Sequence, residues 1–249
     1  RVVAARLLRW GRCRVGGGAV PVARRIGGGA LAVPRMVPVP IGTDAAGTGL
    51  LGNNYVGVES NASGGMTLGG ALPGEGNVIA GSGNSGVLWA FATGGTIQGN
   101  FIGVAANGLS PLANNLGVVF NGGSGVLVGG VAPGERNVIA RNASQGVGVY
   151  NGGLQHAIRR NSIFENGGLG IDLEFNGVTA NDPLDADPGS NNLQNFPQFQ
   201  SVAITGGNLI VTYLVDSAPA NAAYPLAVEF FKPDAVASFE GKTFVAGDS

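Results

Sequence analysis

Of 249 residues, 46 are Gly and 12% are charged, against usual shares of about 7% and about a quarter; an apolar content of 44% argues against a solvated low-complexity chain. The formal net charge of −1 is unevenly placed, because residues 1–40 hold eight Arg and no acid while the remaining six Lys or Arg face all fifteen Asp and Glu, a net of −9 from residue 41 onward. An acidic body disfavours nucleic acid as a partner, and no stretch approaches the roughly 20 apolar residues of a membrane span.

Residues 1–40 carry neither a strand period nor a helix period. Arg9, Arg12 and Arg14 interrupt the first apolar stretch, and Ala30 to Pro34 is shorter than the roughly 7–15-residue apolar region of a secretory signal. The segment is expected to lie outside the fold and not to be native to it; a basic arm that binds an anionic surface is the alternative. The single cysteine, Cys13, falls here, so no intramolecular disulfide is expected and the redox compartment is not legible.

From Ile41 two short patterns alternate. Asn-x-Ile recurs at Asn77, Asn100, Asn137 and Asn161, and Gly followed by a β-branched residue recurs at Gly57, Gly86, Gly117, Gly146 and Gly170. The Asn spacings of 23 and 24 residues are one coil each, and the interval of 37 is one coil plus outward loops. A longer unit overlies the short one, since Pro73-Gly74-Glu75 with Asn77-Val78-Ile79 matches Pro133-Gly134-Glu135 with Asn137-Val138-Ile139 at an offset of 60. Apolar runs last three to five residues and are rich in Val, Ile and Phe, with no helical stripe. Fixed-period self-similarity in short strands indicates a solenoid whose units bury their apolar side only by stacking. The fold expected for residues 41–175 is therefore all-β, a right-handed parallel β-helix with Gly and Asn at its corners. Equivalent Asn side chains should hydrogen-bond from coil to coil, and the loops Thr43 to Gly52 and Val104 to Ala113 should project from one side.

The alternation places Val87, Val118, Val147 and Ile171 inward. Their outward partners are Leu88, Val119, Gly148 and Asp172, with Ala90, Asn121, Tyr150 and Glu174 two residues on. Only the last strand presents charge. Asp172 and Glu174, about 7 Å apart along one face, with Arg159 and Arg160 one segment earlier and Glu165 nearby, form the best candidate catalytic cluster. An acidic rim with a solvated ion-pair partner is the competing reading. Tyr150 and Asn121 are candidate ligand-binding residues, because sugar rings stack on aromatic faces and amides satisfy hydroxyls; the Asn side chains at 84, 142 and 151 are further outward candidates, while Trp89 belongs to the core. His156, the sole histidine, is expected to face solvent, and no Ser or Cys nucleophile has a recognisable partner.

Residues 176–200 form a linker rich in Asp, Asn and Pro. Asp182, Asp185 and Asp187 offer the hard oxygen ligands that Ca²⁺ prefers, without the closing Glu of an EF-hand; a plain Asp/Pro/Gly turn is the alternative. No cofactor is required by the sequence. Strands are expected at Asn208 to Val215, Leu226 to Phe231 and Gly241 to Phe244.

GNVIAG (76–81), IQGNFIG (97–103), NSIFENGGLGIDL (161–173) and the stretch 176–197 resemble the right-handed parallel β-helix repeat proteins of bacteria, which have the pectin-lyase-like fold. The resemblance covers residues 41–249. It implies a following β-sandwich-like segment, incomplete at Ser249, and a secreted or cell-surface location. Relatives of this kind include polysaccharide lyases and hydrolases, but family alone supplies no mechanism. Scarce outward charge favours a noncatalytic module presenting a long β face to a polysaccharide or cell-surface glycan; a polysaccharide lyase or glycoside hydrolase using Asp172, Glu174, Arg159 and Arg160 is the alternative.

Overall fold

The computed structural model describes residues 12–15, 39–233 and 240–248. Strand β1 (Arg12–Val15) is followed by β2 (Pro40–Ile41), and then by a repeating triplet of short strands. The first triplet is β3 (Val58–Asn61), β4 (Thr67–Gly69) and β5 (Val78–Ile79); the second is β6 (Ser85–Ala90), β7 (Thr96–Gln98) and β8 (Phe101–Ile102). The third is β9 (Leu116–Asn121), β10 (Leu127–Gly129) and β11 (Val138–Ala140); the fourth is β12 (Val147–Tyr150), β13 (Ala157–Arg159) and β14 (Ser162–Phe164), after which β15 (Ile171–Leu173) begins another turn. Strands of successive triplets pair in parallel and form three sheets, ordered β3-β6-β9-β12-β15, β4-β7-β10-β13 and β2-β5-β8-β11-β14. This is the expected parallel β-helix. Strand β1 adds antiparallel to β3, from Arg12 opposite Asn61 to Val15 opposite Val58. Part of the Arg-rich segment therefore pairs with the helix, and the rest of residues 1–38 lies outside the described residues.

The interior is built from stacked equivalents. Val87 stands over Val118 and Trp89 over Phe120 in register, and Ile79, Ile102 and Ile139 form the same column in the third sheet. All but Trp89, at 1%, are fully buried, and each such side chain contributes about 1.5–3 kcal/mol relative to exposure.

Two columns of buried amides run beside this core. In the first, Asn77 Nδ2 donates to Asn100 Oδ1 at 2.8 Å, Asn100 Nδ2 to Asn137 Oδ1 at 3.0 Å, and Asn137 Nδ2 to Asn161 Oδ1 at 2.9 Å. Each acceptor oxygen also takes the backbone N–H of the preceding Asn, at 2.9–3.1 Å. The ladder expected from the Asn-x-Ile pattern is present. A second column, not foreseen, runs Asn114 to Asn142 to Asn166 with Nδ2–Oδ1 distances of 3.0 and 2.9 Å. It makes Asn142 a buried structural residue instead of an outward ligand-binding one. The corner glycines make room for it: a Cβ at Gly86, Gly117 or Gly146 would come within 2.7–3.0 Å of the amide nitrogen of Asn114, Asn142 or Asn166.

Below Asn114 the second column is defective. Ser82 occupies the next position, its backbone N–H donating to Asn114 Oδ1 at 3.0 Å. Its hydroxyl and both amide atoms of Asn53 are buried without a hydrogen-bond partner. A serine is too short to bridge the coils.

The outward loops obey the two-coil period. Thr43 pairs with Leu50 and Val104 with Pro111 to close each loop, and Ala106 N–H donates to Gly47 O at 3.0 Å, so the two loops stack on one side. Beyond β15 come two short 3₁₀ turns, Pro183–Asp185 and Ser190–Leu193, and two antiparallel hairpins, β16 (Gln198–Thr205) with β17 (Asn208–Leu214) and β18 (Val228–Lys232) with β19 (Thr243–Asp248).

The broken column yields a test. Gly57 faces the Ser82 hydroxyl as the other corner glycines face their amides, so Ser82→Asn should complete the ladder and raise stability by about 1–2 kcal/mol, whereas Asn137→Ala, which strands partners on both sides, should cost about 2–4 kcal/mol. Urea-unfolding midpoints give both values; a lower midpoint for Ser82→Asn would contradict the ladder's energetic role.

Candidate functional site

The four residues of the candidate catalytic cluster are not brought together as expected. Strand β15 ends at Leu173, and Glu174 and Phe175 take left-handed backbone angles, φ 71° and 55°. Alternation stops there, so Asp172 and Glu174 do not share an exposed strand face. Phe175 folds back over the outer face of the sheet, where a Cβ on Gly148 would stand 2.1 Å from its ring. Asp172, in register with Gly148, is 1% exposed; its Oδ2 accepts from Gln145 Nε2 at 3.0 Å, and its Oδ1 is buried without a partner. Ile171, expected in the core, is 44% exposed because it lies on the last strand of its sheet. Glu174 accepts the Ser190 N–H at 2.8 Å and ties the linker to the helix. Hydrogen bonding from Ser190, stronger than the opposing burial, holds its carboxyl below the usual range.

Arg159 ends β13 of a different sheet, Arg160 follows it with φ 51°, and the two serve a clasp. Arg159 Nε meets Glu229 Oε1 at 2.8 Å, the Arg160 backbone N–H donates to Glu229 Oε2 at 2.8 Å, and Arg160 lies over the Phe244 ring at 4.3 Å. Glu229 and Phe244 come from β18 and β19. The same tail meets β14, where Ile163 N–H donates to Gly241 O at 2.9 Å and Ser162 Oγ to Lys242 O at 2.7 Å. Glu240 accepts from Asn166 Nδ2 at 2.7 Å and so terminates the second amide column. Glu165 pairs with Arg141.

The acidic linker residues do converge. One carboxylate oxygen from each of Asp182, Asp185 and Asp187 lies within 4.8 Å of the others. Leu184 and Asp185 have positive φ, 64° and 58°, which turns the three side chains toward one another. Asp185 is 1% exposed and accepts Asn195 N–H at 2.7 Å and Ser217 Oγ at 3.0 Å; Asp182 accepts Ala186 N–H at 3.0 Å. Asp187 Oδ1 is buried without a partner. Burial first, then the charge of Asp182, pushes the Asp187 carboxyl up. An all-oxygen donor set with one orphaned oxygen fits a hard cation such as Ca²⁺.

Tyr150 and Asn121 lie next to each other on the outer face of the β3–β15 sheet, paired in register. The Tyr150 ring meets Phe175 edge-on at 5.1 Å, and Asn151 Nδ2 donates to Asn121 Oδ1 at 3.0 Å. Phe91, 55% exposed, sits against Gly122. Burial and then the nearby Tyr55 hydroxyl raise the Tyr150 phenol. Phe175, Phe91 and Tyr55 were not foreseen: Phe175 lies past the last strand, and Phe91 holds a left-handed corner conformation, φ 50°, off the strand rows.

His156 is buried, not solvent-facing. Its ring stacks on Phe120 at 4.3 Å, Nδ1 accepts from Val126 N–H at 3.4 Å, and Asn191 brackets its backbone at 2.9 and 2.8 Å. Burial lowers its pKa despite the neighbouring Gly122 carbonyl. Among the described residues no helix is long and apolar enough to cross a membrane. A scan against protein-family models, a search of curated proteins and a search of solved structures each find no match to the chain.

The buried histidine sets a pH dependence. The unfolded chain takes up a proton near pH 6.5 while the fold resists it, so His156's contribution is full above that pH and is lost progressively below it. His156→Phe, which keeps a ring against Phe120, should flatten unfolding free energy between about pH 7 and 5.5; an unchanged slope would place its origin elsewhere.

Proposed function

We propose that this chain is a noncatalytic exported or cell-surface β-helix module, of the pectin-lyase-like kind it resembles, that binds polysaccharide on the outer face of the β3–β15 sheet. The observation that carries this reading is the Tyr150–Phe175 ring pair at 5.1 Å beside the Asn121–Asn151 amide pair at 3.0 Å. Aromatic faces cover the apolar faces of sugars, and a fixed amide pair keeps free donor and acceptor capacity for hydroxyls. The lyase or hydrolase alternative lacks such support, because Arg159 and Arg160 are engaged by Glu229 and Asp172 is covered. Calcium belongs to the same proposal, as a brace across the Asp182–Asp185–Asp187 turn that leads from the helix to the hairpins.

Affinity electrophoresis of the chain against neutral and acidic polysaccharides tests the face. Retardation by at least one neutral polymer is expected, weakened about tenfold by Tyr150→Ala. A folded parent retarded by none would overturn the binding reading, and product release abolished by Asp172→Ala/Glu174→Ala would overturn the noncatalytic one.

Calcium is tested separately by thermal unfolding. Saturating Ca²⁺ should raise the midpoint by several degrees, chelator should reverse the rise, and Asp187→Asn should remove it. Equal midpoints with Ca²⁺ and with chelator would reduce the triad to a turn.

A further inference from the structure

On another side of the helix, the two Pro-Gly-Glu loops border a groove of about 720 Å³. Loop 130–136 packs on loop 70–76 across an intervening tight corner at Gly99, with no room for a Cβ on Gly134, which would lie 1.9 Å from Ala71 O. Leu72, Pro73, Val131, Pro133, Phe101 and Phe244 give the groove an apolar lining, and Arg136 and Arg160 are its charged residues. Leu72 is 66% and Val131 54% exposed.

Among the charged side chains in and around this groove, the carboxylates are already engaged. Glu75 and Glu135 are turned into their own loops, each accepting a loop N–H, from Leu72 at 3.0 Å and Ala132 at 2.8 Å. Glu229 is shared between Arg159 and Arg160, one carboxylate for two guanidinium groups. Arg160 Nη1 donates to Val131 O at 3.1 Å, but its Nε is buried without a hydrogen bond, 3.8 Å from Glu229 Oε1. Arg136 is exposed and has no hydrogen-bond or ion-pair partner among the described residues. Five N–H donors in a planar fork suit a carboxylate or sulfate group, and the apolar flanks suit the face of a ring.

We propose that the groove between the Pro-Gly-Glu loops is a second binding site, for an anionic saccharide whose carboxylate or sulfate group is held by Arg136. The site stands apart from the Tyr150 face and does not depend on it. The loops belong to the first and third coils, with the Gly99 corner of the second between them, so the groove covers two inter-coil steps of about 4.8 Å each and an extended polymer can run along it instead of ending in it.

The test uses the full chain and four probes: a polyuronate, a sulfated dextran, unsubstituted dextran and inorganic sulfate. Binding to a polymeric anion that weakens with added salt, and that falls about tenfold in Arg136→Gln, is the expected result; the preferred polymer identifies the group as carboxylate or sulfate. Arg136 has no partner to lose among the described residues, so the variant should unfold at the parent's midpoint. Failure of the parent to bind either polymeric anion, equal binding by Arg136→Gln, or equal affinity for unsubstituted dextran would overturn the proposal, as would binding of inorganic sulfate alone. Tyr150→Ala should leave anion binding unchanged, so loss of one site is distinguishable from loss of the other.

Discussion

A buried amide must find partners for both its oxygen and its nitrogen, and that requirement fixes how the coils of this protein stack. Apolar columns alone would tolerate a slip along the strands, since one Val or Ile fits over another. The Asn77–Asn100–Asn137–Asn161 column does not tolerate it, because each Oδ1 takes both a side-chain and a backbone N–H from the coil before. A one-residue shift would strand several buried polar groups at once, each costing about 1–3 kcal/mol. The glycine corners follow from the same constraint, for they leave the space that the second amide column fills.

A column of amides also has to end. At the last coil the protein supplies an acceptor from 74 residues away, Glu240 to Asn166, and Gly241 O takes the Ile163 N–H at the edge of the third sheet. Arg159, Arg160 and Glu229 hold that tail in place. The charged residues that look chemically poised in the sequence are thus largely occupied in closing the solenoid, and closure leaves over the aromatic–amide face around Tyr150 and the Arg136 guanidinium, which has no partner among the described residues. The only described strand beyond the helix end at the opposite pole is β1, which pairs with β3.

What the sequence reveals is chiefly what is periodic or local. The Asn-x-Ile columns, the inward Val and Ile rows and the stacking of the two outward loops all recur at coil or two-coil intervals and are readable from spacing. The second amide column is harder to see, because Ser82 interrupts it and its steps of 32, 28 and 24 residues are unequal. Aperiodic features that depend on distant residues are not legible. Asp172 reads as outward from alternation, and it is; its burial depends on Phe175 folding back through two left-handed residues, which no local signal announces. Arg159 finds Glu229 70 residues away, and His156 is covered partly by Asn191 of the linker, so neither fate follows from neighbouring sequence. The Asp triad was legible because its residues lie within six positions and need only a turn to converge.

Coil registration depends on amide columns that are buried and continuous except at Ser82. Side-chain amide hydrogen exchange, followed by NMR residue by residue, addresses this directly. Strong and similar protection is expected for the Nδ2 hydrogens of Asn100, Asn114, Asn137 and Asn142, with Asn53 exchanging much faster because its amide has no partner in the column. Rapid exchange at Asn100 and Asn137, comparable to that of the exposed Asn151, would contradict it.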